Sequence, residues 1–204
     1  MKDILSEIIT NKRLEIERQK QAVSLRQLQE SILHALPARS MRQAVASSPT
    51  GIIAEFKRRS PSKGWIKENA MPEEIVPSYQ AAGASALSIL TDEKYFGGTL
   101  RDIRTVRTSV DTPILRKDFI LDEYQLYQAR IVGADAVLLI AAALEREVCL
   151  SLTKKAHELG LEVLLEIHRE EELSYMNEHV DMIGINNRNL GSFHTEVSNS
   201  FRLA

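Results

Sequence analysis

Apolar residues recur at helical spacing through the first 48 positions. Ile4, Leu5, Ile8, Ile9, Leu14 and Ile16 form one stripe, with Lys and Glu between them. A second run carries Leu25, Leu28, Ile32, Leu33 and Leu36 at the same spacing, and Pro37 stops it. Ser40 is placed to cap a short helix through Met41 and Val45. Several amphipathic helices ahead of any strand predict a helical extension, residues 1–48, packed on a larger body spanning 49–204.

From Gly51 the pattern changes to short apolar runs alternating with longer helical ones. The runs are 52–56, 86–90, 113–117, 136–140, 162–167 and 182–186. Their starts lie roughly 20 to 35 residues apart, about one βα unit each. Met71-Pro72-Glu73-Glu74 puts proline and acids where a first helical turn wants them. A long helix opens near Leu144-Glu145-Arg146-Glu147 and stops at Leu159-Gly160. The phrases Ala82-Gly83-Ala84-Ser85-Ala86 and Val132-Gly133-Ala134-Asp135-Ala136 each read as a helix stop followed at once by a strand.

Strands alternating with helices predict a parallel sheet covered by helices. An open doubly wound sheet wants a glycine-rich turn such as GxGxxG after a strand, and none is present. A (βα)8 barrel wants polar residues at the ends of several strands. Those are present, so the expected fold is α/β, a TIM-type barrel with a helical extension and about six βα units.

Composition narrows the function class. Lys plus Arg is 26 and Asp plus Glu is 28, a formal charge of -2, so no basic field draws the chain onto nucleic acid. The single cysteine, Cys149, excludes an internal disulfide framework and a multi-cysteine metal site. It falls in a helical pattern beside Val148 and Leu150, which reads as a buried thiol. Histidines 34, 157, 168, 179 and 194 show no ligand spacing, and no metal is expected. Arg169-Glu170-Glu171-Glu172 reads as a charged helix start. The apolar runs are too short to span a bilayer, and the N-terminus lacks the apolar core of a signal peptide. A cytoplasmic protein without membrane or nucleic-acid partners is expected.

The strand ends carry the candidate chemistry. Glu55 and Lys57 end the first strand, Lys117 the third, Glu166 the fifth and Asn186 the sixth. Ile53 shares parity with Glu55, Leu115 with Lys117 and Leu164 with Glu166, and alternate residues of a strand face one side. One lysine or glutamate at a strand end is ordinarily a solvated rim residue. Four ionisable groups recurring at one level favour a shared cleft. Two carboxylates and two ammonium groups there can split their proton affinities, as acid–base work requires.

The loops are more ambiguous. Arg58-Arg59-Ser60-Pro61-Ser62-Lys63-Gly64 is basic and hydroxyl-rich, suited to anion capture or to a solvated turn. Tyr95-Phe96-Gly97-Gly98 offers either a wall for an aromatic substrate or a plug for the barrel rim. Phe119, two beyond Lys117, reads the same two ways.

Five blocks together resemble indole-3-glycerol phosphate synthase: 55–62 (EFKRRSPS), 91–98 (TDEKYFGG), 115–119 (LRKDF), 165–167 (LEI) and 183–190 (IGINNRNL). The resemblance runs over nearly the whole chain, helical extension included. It implies a carboxy-lyase of tryptophan biosynthesis. The reaction is ring closure of 1-(2-carboxyphenylamino)-1-deoxyribulose 5-phosphate to indole-3-glycerol phosphate, with loss of carbon dioxide and water. It implies no cofactor, a phosphorylated small-molecule substrate, and a monomer or weak homo-oligomer.

Residue roles follow from the same resemblance. Lys117 is the acid beside the ketone and Glu166 the best candidate base. Lys57 holds the substrate carboxylate or assists hydroxyl departure, Glu55 orients Lys57 or a substrate hydroxyl, and Asn186 bonds sugar hydroxyls or the anilino group. Ser60, Phe96, Phe119, Leu138, Arg188 and Leu190 contact or enclose the substrate. Six strands are counted against the eight of a closed barrel. The expectation is therefore a C-terminally shortened synthase without the last two units and their phosphate cradle, poorly active and poorly soluble alone. The rival readings are a Schiff-base lyase or aldolase using Lys117 or Lys57, a phosphoribosylanthranilate isomerase, and a non-catalytic barrel fragment.

Overall fold

The computed structural model describes residues 4–32, 35, 37–188 and 195–203. Helices α1 (Ile4–Ala22), α2 (Leu25–Ser31) and α3 (Met41–Ser47) come first. Ser24 opens α2 with a reciprocal capping box to Gln27. The helix closes at Ser31, earlier than the apolar spacing suggested, and Leu33 and Leu36 lie outside the described residues. Ser40 caps α3 by accepting the Gln43 N–H at 3.0 Å.

Next come β1 (Ile53–Phe56), the short strands β2 (Arg59–Ser60) and β3 (Gly64–Trp65), α4 (Pro72–Ala81) and β4 (Ala86–Leu90). Helices α5 (Glu93–Phe96) and α6 (Leu100–Val106) lead to β5 (Ile114–Lys117), α7 (Glu123–Val132) and β6 (Ala136–Ile140). Then follow α8 (Arg146–Glu158), β7 (Glu162–Ile167), a 3-10 turn over Glu170–Tyr175, β8 (Met182–Ile185) and α9 (Ser198–Leu203). The charged run at 169–172 thus opens a 3-10 helix. Gly133 ends α7 at φ 90°, a left-handed turn that lets the chain re-enter the sheet within three residues.

Six strands pair in the order β1-β4-β5-β6-β7-β8, every pair parallel. Sequence neighbours are spatial neighbours throughout, the order of a barrel wall rather than of a doubly wound sheet. The sheet curls: Arg188, beyond β8, reaches Ser62, beyond β1, with Nη1 donating to Oγ at 3.3 Å. No helix among the described residues is long and apolar enough to cross a membrane.

Strand alternation sorts the apolar residues into two layers. Leu87, Ile89, Ile114, Val137, Leu139, Val163, Leu165 and Ile167 are buried in one cluster with Ile103, Val106, Leu126, Leu152 and Ala156 of the surrounding helices. Ala86, Leu115, Ala136, Leu138 and Ile140, of opposite parity, are buried in a second cluster. That inner cluster also contains Leu5 and Ile8 of α1 and Met41 of α3. The two helices cover opposite ends of the strands. Ser40 and the Arg42 N–H at the start of α3 donate to Glu162, the first residue of β7. Helix α1 instead meets Asp92 and Asp118, just beyond β4 and β5.

Candidate active site

A cavity of about 330 Å³ opens at the C-terminal ends of the strands. Glu55, Lys57, Lys117, Glu166 and Asn186 all line it, as do Ser60, Phe96, Phe119, Leu138 and Arg188. Leu190 lies outside the described residues. Register explains the convergence. Lys117 stands beside Leu90 and Glu166 beside Ile140 in the sheet, and Leu90 and Ile140 line the same cavity. Equal height and equal parity put side chains from separate strands over one floor.

The polar residues divide into two groups. In the first, Glu55 bridges both lysines: Oε1 accepts from Lys57 Nζ at 2.5 Å, and Oε2 lies 3.6 Å from Lys117 Nζ. Burial alone would raise the Glu55 pKa. Lys117 first and Lys57 second outweigh that and hold it below the ordinary carboxylate range. Glu55 is therefore a fixed anion that sets the positions of two ammonium groups.

In the second group Asn186 Nδ2 donates to Glu166 Oε1 at 3.0 Å. Its Oδ1 accepts the backbone N–H of Arg188 at 2.9 Å. A backbone N–H can only donate, so the amide orientation is determined and the NH2 must face Glu166. The His168 ring also stands by this carboxylate, Nε2 3.6 Å from Glu166 Oε1.

The same cavity has an aromatic wall. Phe96 and Phe119 have ring centroids 6.1 Å apart, tilted by 38°. Gly97 takes the left-handed φ of 66° that ends α5 just after Phe96. At Gly98 a Cβ would lie 1.9 Å from the Leu90 carbonyl oxygen, so only glycine lets this loop lie against the strand end. Of the two readings of Tyr95-Phe96-Gly97-Gly98, the geometry supports a cavity wall built by Phe96.

The basic loop after β1 divides between structure and cavity. It contains the β2–β3 hairpin, and its two arginines are struts. Arg58 makes a two-pronged ion pair with Asp102 at 2.6 and 3.0 Å, and donates to the Ala70 and Gly97 carbonyls. Arg59 lies over the Trp65 ring and donates to the Lys94 carbonyl. A guanidinium offers five donors in a fork, and here carbonyls and a carboxylate take them up. Ser60, Pro61 and Ser62 of the same loop do line the cavity.

Sequence reasoning missed the contribution of α1. Ile4, Leu5 and Ile8 line the cavity directly, although their spacing had signalled only an apolar stripe. Cys149 is buried, and desolvation pushes its thiol up to about 11, which keeps it protonated and un-nucleophilic at neutral pH. Among the described residues no three His, Cys, Asp or Glu side chains are grouped to hold a metal ion.

Known proteins provide the comparison. The family profile described as indole-3-glycerol phosphate synthase matches residues 5–204. Curated relatives carrying that name include one from Bacteroides thetaiotaomicron, 74% identical over 204 residues and aligned across 100% of this chain and 78% of its own length. One from Neisseria meningitidis serogroup C is 46% identical over 208 residues, covering 100% and 80%. One from Prochlorococcus marinus is 42% identical over 206 residues, covering 99% and 70%.

Proposed function

The chain belongs to the indole-3-glycerol phosphate synthase family, and we propose that its cavity performs the ring closure as a carboxy-lyase of tryptophan biosynthesis. The substrate is 1-(2-carboxyphenylamino)-1-deoxyribulose 5-phosphate. The observation that carries this reading is one cavity holding Lys117 and Glu166, from separate strands, together with the Phe96–Phe119 wall.

The aryl ring lies against Phe96, Phe119 and Leu138. Its carboxyl-bearing carbon attacks the ketone carbon, and Lys117 gives a proton to the ketone oxygen. Carbon dioxide then leaves, and the electrons of its bond return to the ring as aromaticity is restored. The new hydroxyl takes a proton from Lys57 and departs as water, and Glu166 takes the proton lost from the five-membered ring. Lys57 is held in place by Glu55. Asn186 keeps Glu166 in place and bonds substrate hydroxyls or the anilino nitrogen. Ser60 and Arg188, on the cavity wall, contact the substrate. The charges shift within a site whose donors are already fixed by strand ends and ion pairs, the arrangement expected to lower a barrier most.

Indole-product fluorescence from the anilino-deoxyribulose phosphate tests this on the unsubstituted protein, Lys117→Ala and Glu166→Ala. Product formation that collapses in both variants is expected. Unchanged turnover in either overturns its assigned role.

A further inference from the structure

Helix α1 carries a lysine with no exposed surface. Lys12 lies in line with Ile8 and Ile16 at four-residue spacing, on the buried face of the helix. Its Nζ is 3.0 Å from Asp92 Oδ2, 3.0 Å from Asp118 Oδ1 and 2.9 Å from Glu15 Oε2. Burial alone would lower its pKa, but Asp118, Asp92 and Glu15 more than offset that and hold it above its ordinary value. Asp118, wholly buried, is held far below the carboxylate range by Lys12 and then Arg116.

Both buried carboxylates also shape the turns that carry the cavity's working residues. Asp92 Oδ1 accepts the Tyr95 N–H at 2.8 Å and so caps α5, whose last residue is Phe96. Asp118 sits between Lys117 and Phe119. Its Oδ1 accepts the Phe119 N–H at 2.9 Å, and its Oδ2 accepts from Thr91 Oγ1 at 2.7 Å and Arg116 Nη2 at 2.8 Å. One ammonium group on α1 therefore touches the anchors of both aromatic residues and of Lys117. The same helix places Leu5 and Ile8 in the cavity wall.

We propose that Lys12 is a positioning residue for the reaction, fixing the turns after β4 and β5 against α1 so that Phe96, Phe119 and Lys117 face the wall formed by Leu5 and Ile8. The inference rests on the functional reading above for the identity of the reaction. Buried ion pairs can often be replaced by apolar residues of similar volume without loss of stability, so stability alone gives this cluster no special reason to be ionic. What an apolar replacement cannot do is set the angle of two separate turns.

The test is the double variant Lys12→Met with Asp92→Asn. It removes one charge of each sign and leaves Arg116 to neutralise Asp118. Asparagine still caps α5. The expected result is a fall in kcat/KM of about 10²-fold, the loss that misplacement by about 1 Å produces. It comes with a raised KM and faster amide exchange at Phe119, whose acceptor Asp118 is left unsubstituted. Lys20→Met, which removes the α1 contact with Asp122, serves as the control for general loosening of the helix. It should lower thermal stability and leave kcat/KM unchanged. If the double variant folds poorly, Lys12→Arg keeps the charge but moves its point of attachment, and reduced kcat/KM there supports the proposal.

Parental kcat, KM and exchange rates in a folded Lys12 variant overturn the proposal. So does an equal loss in Lys20→Met. If the unsubstituted protein neither binds nor decarboxylates the substrate, the functional reading fails by itself. Exchange at Phe119 then still decides whether Lys12 positions the turn after β5.

Discussion

Glu55 Oε2 lies 3.6 Å from Lys117 Nζ, across the gap from β1 to β5. With Oε1 on Lys57, this carboxylate ties two cations that would otherwise repel each other in a confined space. Glu55→Gln keeps the shape and removes the charge. Both lysines should lose their fixed positions, and kcat should fall about 10²-fold or more, in the range for a misplaced acid–base group. Thermal stability should change little, because the side chain is half-buried at the cavity rim. Steady-state kinetics beside a thermal melt provide the check. Unaltered kcat shows that Lys117 does not depend on Glu55.

A second ion pair lies at the opposite end of the strands and should affect stability alone. Arg107 Nη1 meets Asp135 Oδ2 at 2.6 Å, with both side chains almost fully buried. Asp135 also accepts the N–H groups of Ile114 and Arg39, each at 2.8 Å. Asp135→Ala leaves the guanidinium charge and two amides without their acceptor. The expected cost is about 3–5 kcal/mol in urea unfolding, with KM unchanged in the protein that remains folded. A loss below about 1 kcal/mol refutes the pair's structural importance.

Glu172 gives an acid limb to stability. Burial alone would raise its pKa. Hydrogen bonds from His168 and Arg169 outweigh burial and bring it down from 4.5 to about 2. A folded pKa below the unfolded one means the stabilisation is complete above about pH 4.5 and is lost as pH falls toward 2. The unfolding free energies of the parent and Glu172→Gln should therefore converge across that window as the solution is acidified. A constant difference from pH 5 to 2 contradicts the assignment.

The barrel wall and most of the cavity are legible in the sequence because strand geometry is nearly rigid. Period-two alternation fixes that Leu115 and Lys117 share a face, and repeated βα spacing brings the strand ends to one level. The β2–β3 hairpin escaped notice because each of its strands is only two residues long, too short for any periodicity. Arg58 looked like a ligand for anions because its partners Ala70, Gly97 and Asp102 are 12 to 44 positions away. Helix α1 was recognisable as a helix, but not as a wall of the cavity. The clue was a lysine in line with Ile8 and Ile16, which on an isolated amphipathic helix looks like a boundary residue. Only the distant Asp92 and Asp118 reveal it as buried.

Lys117 and Glu166 are proposed as acid and base in one decarboxylating ring closure. Carbon dioxide and indole product should be measured together from 1-(2-carboxyphenylamino)-1-deoxyribulose 5-phosphate, with borohydride present in a parallel sample. Expected are one carbon dioxide per indole, no reduced covalent adduct on Lys117 or Lys57, and losses of about 10²–10⁴-fold in both products for Lys117→Ala and for Glu166→Ala. A trapped lysine adduct, or indole formed without matching carbon dioxide, contradicts that assignment.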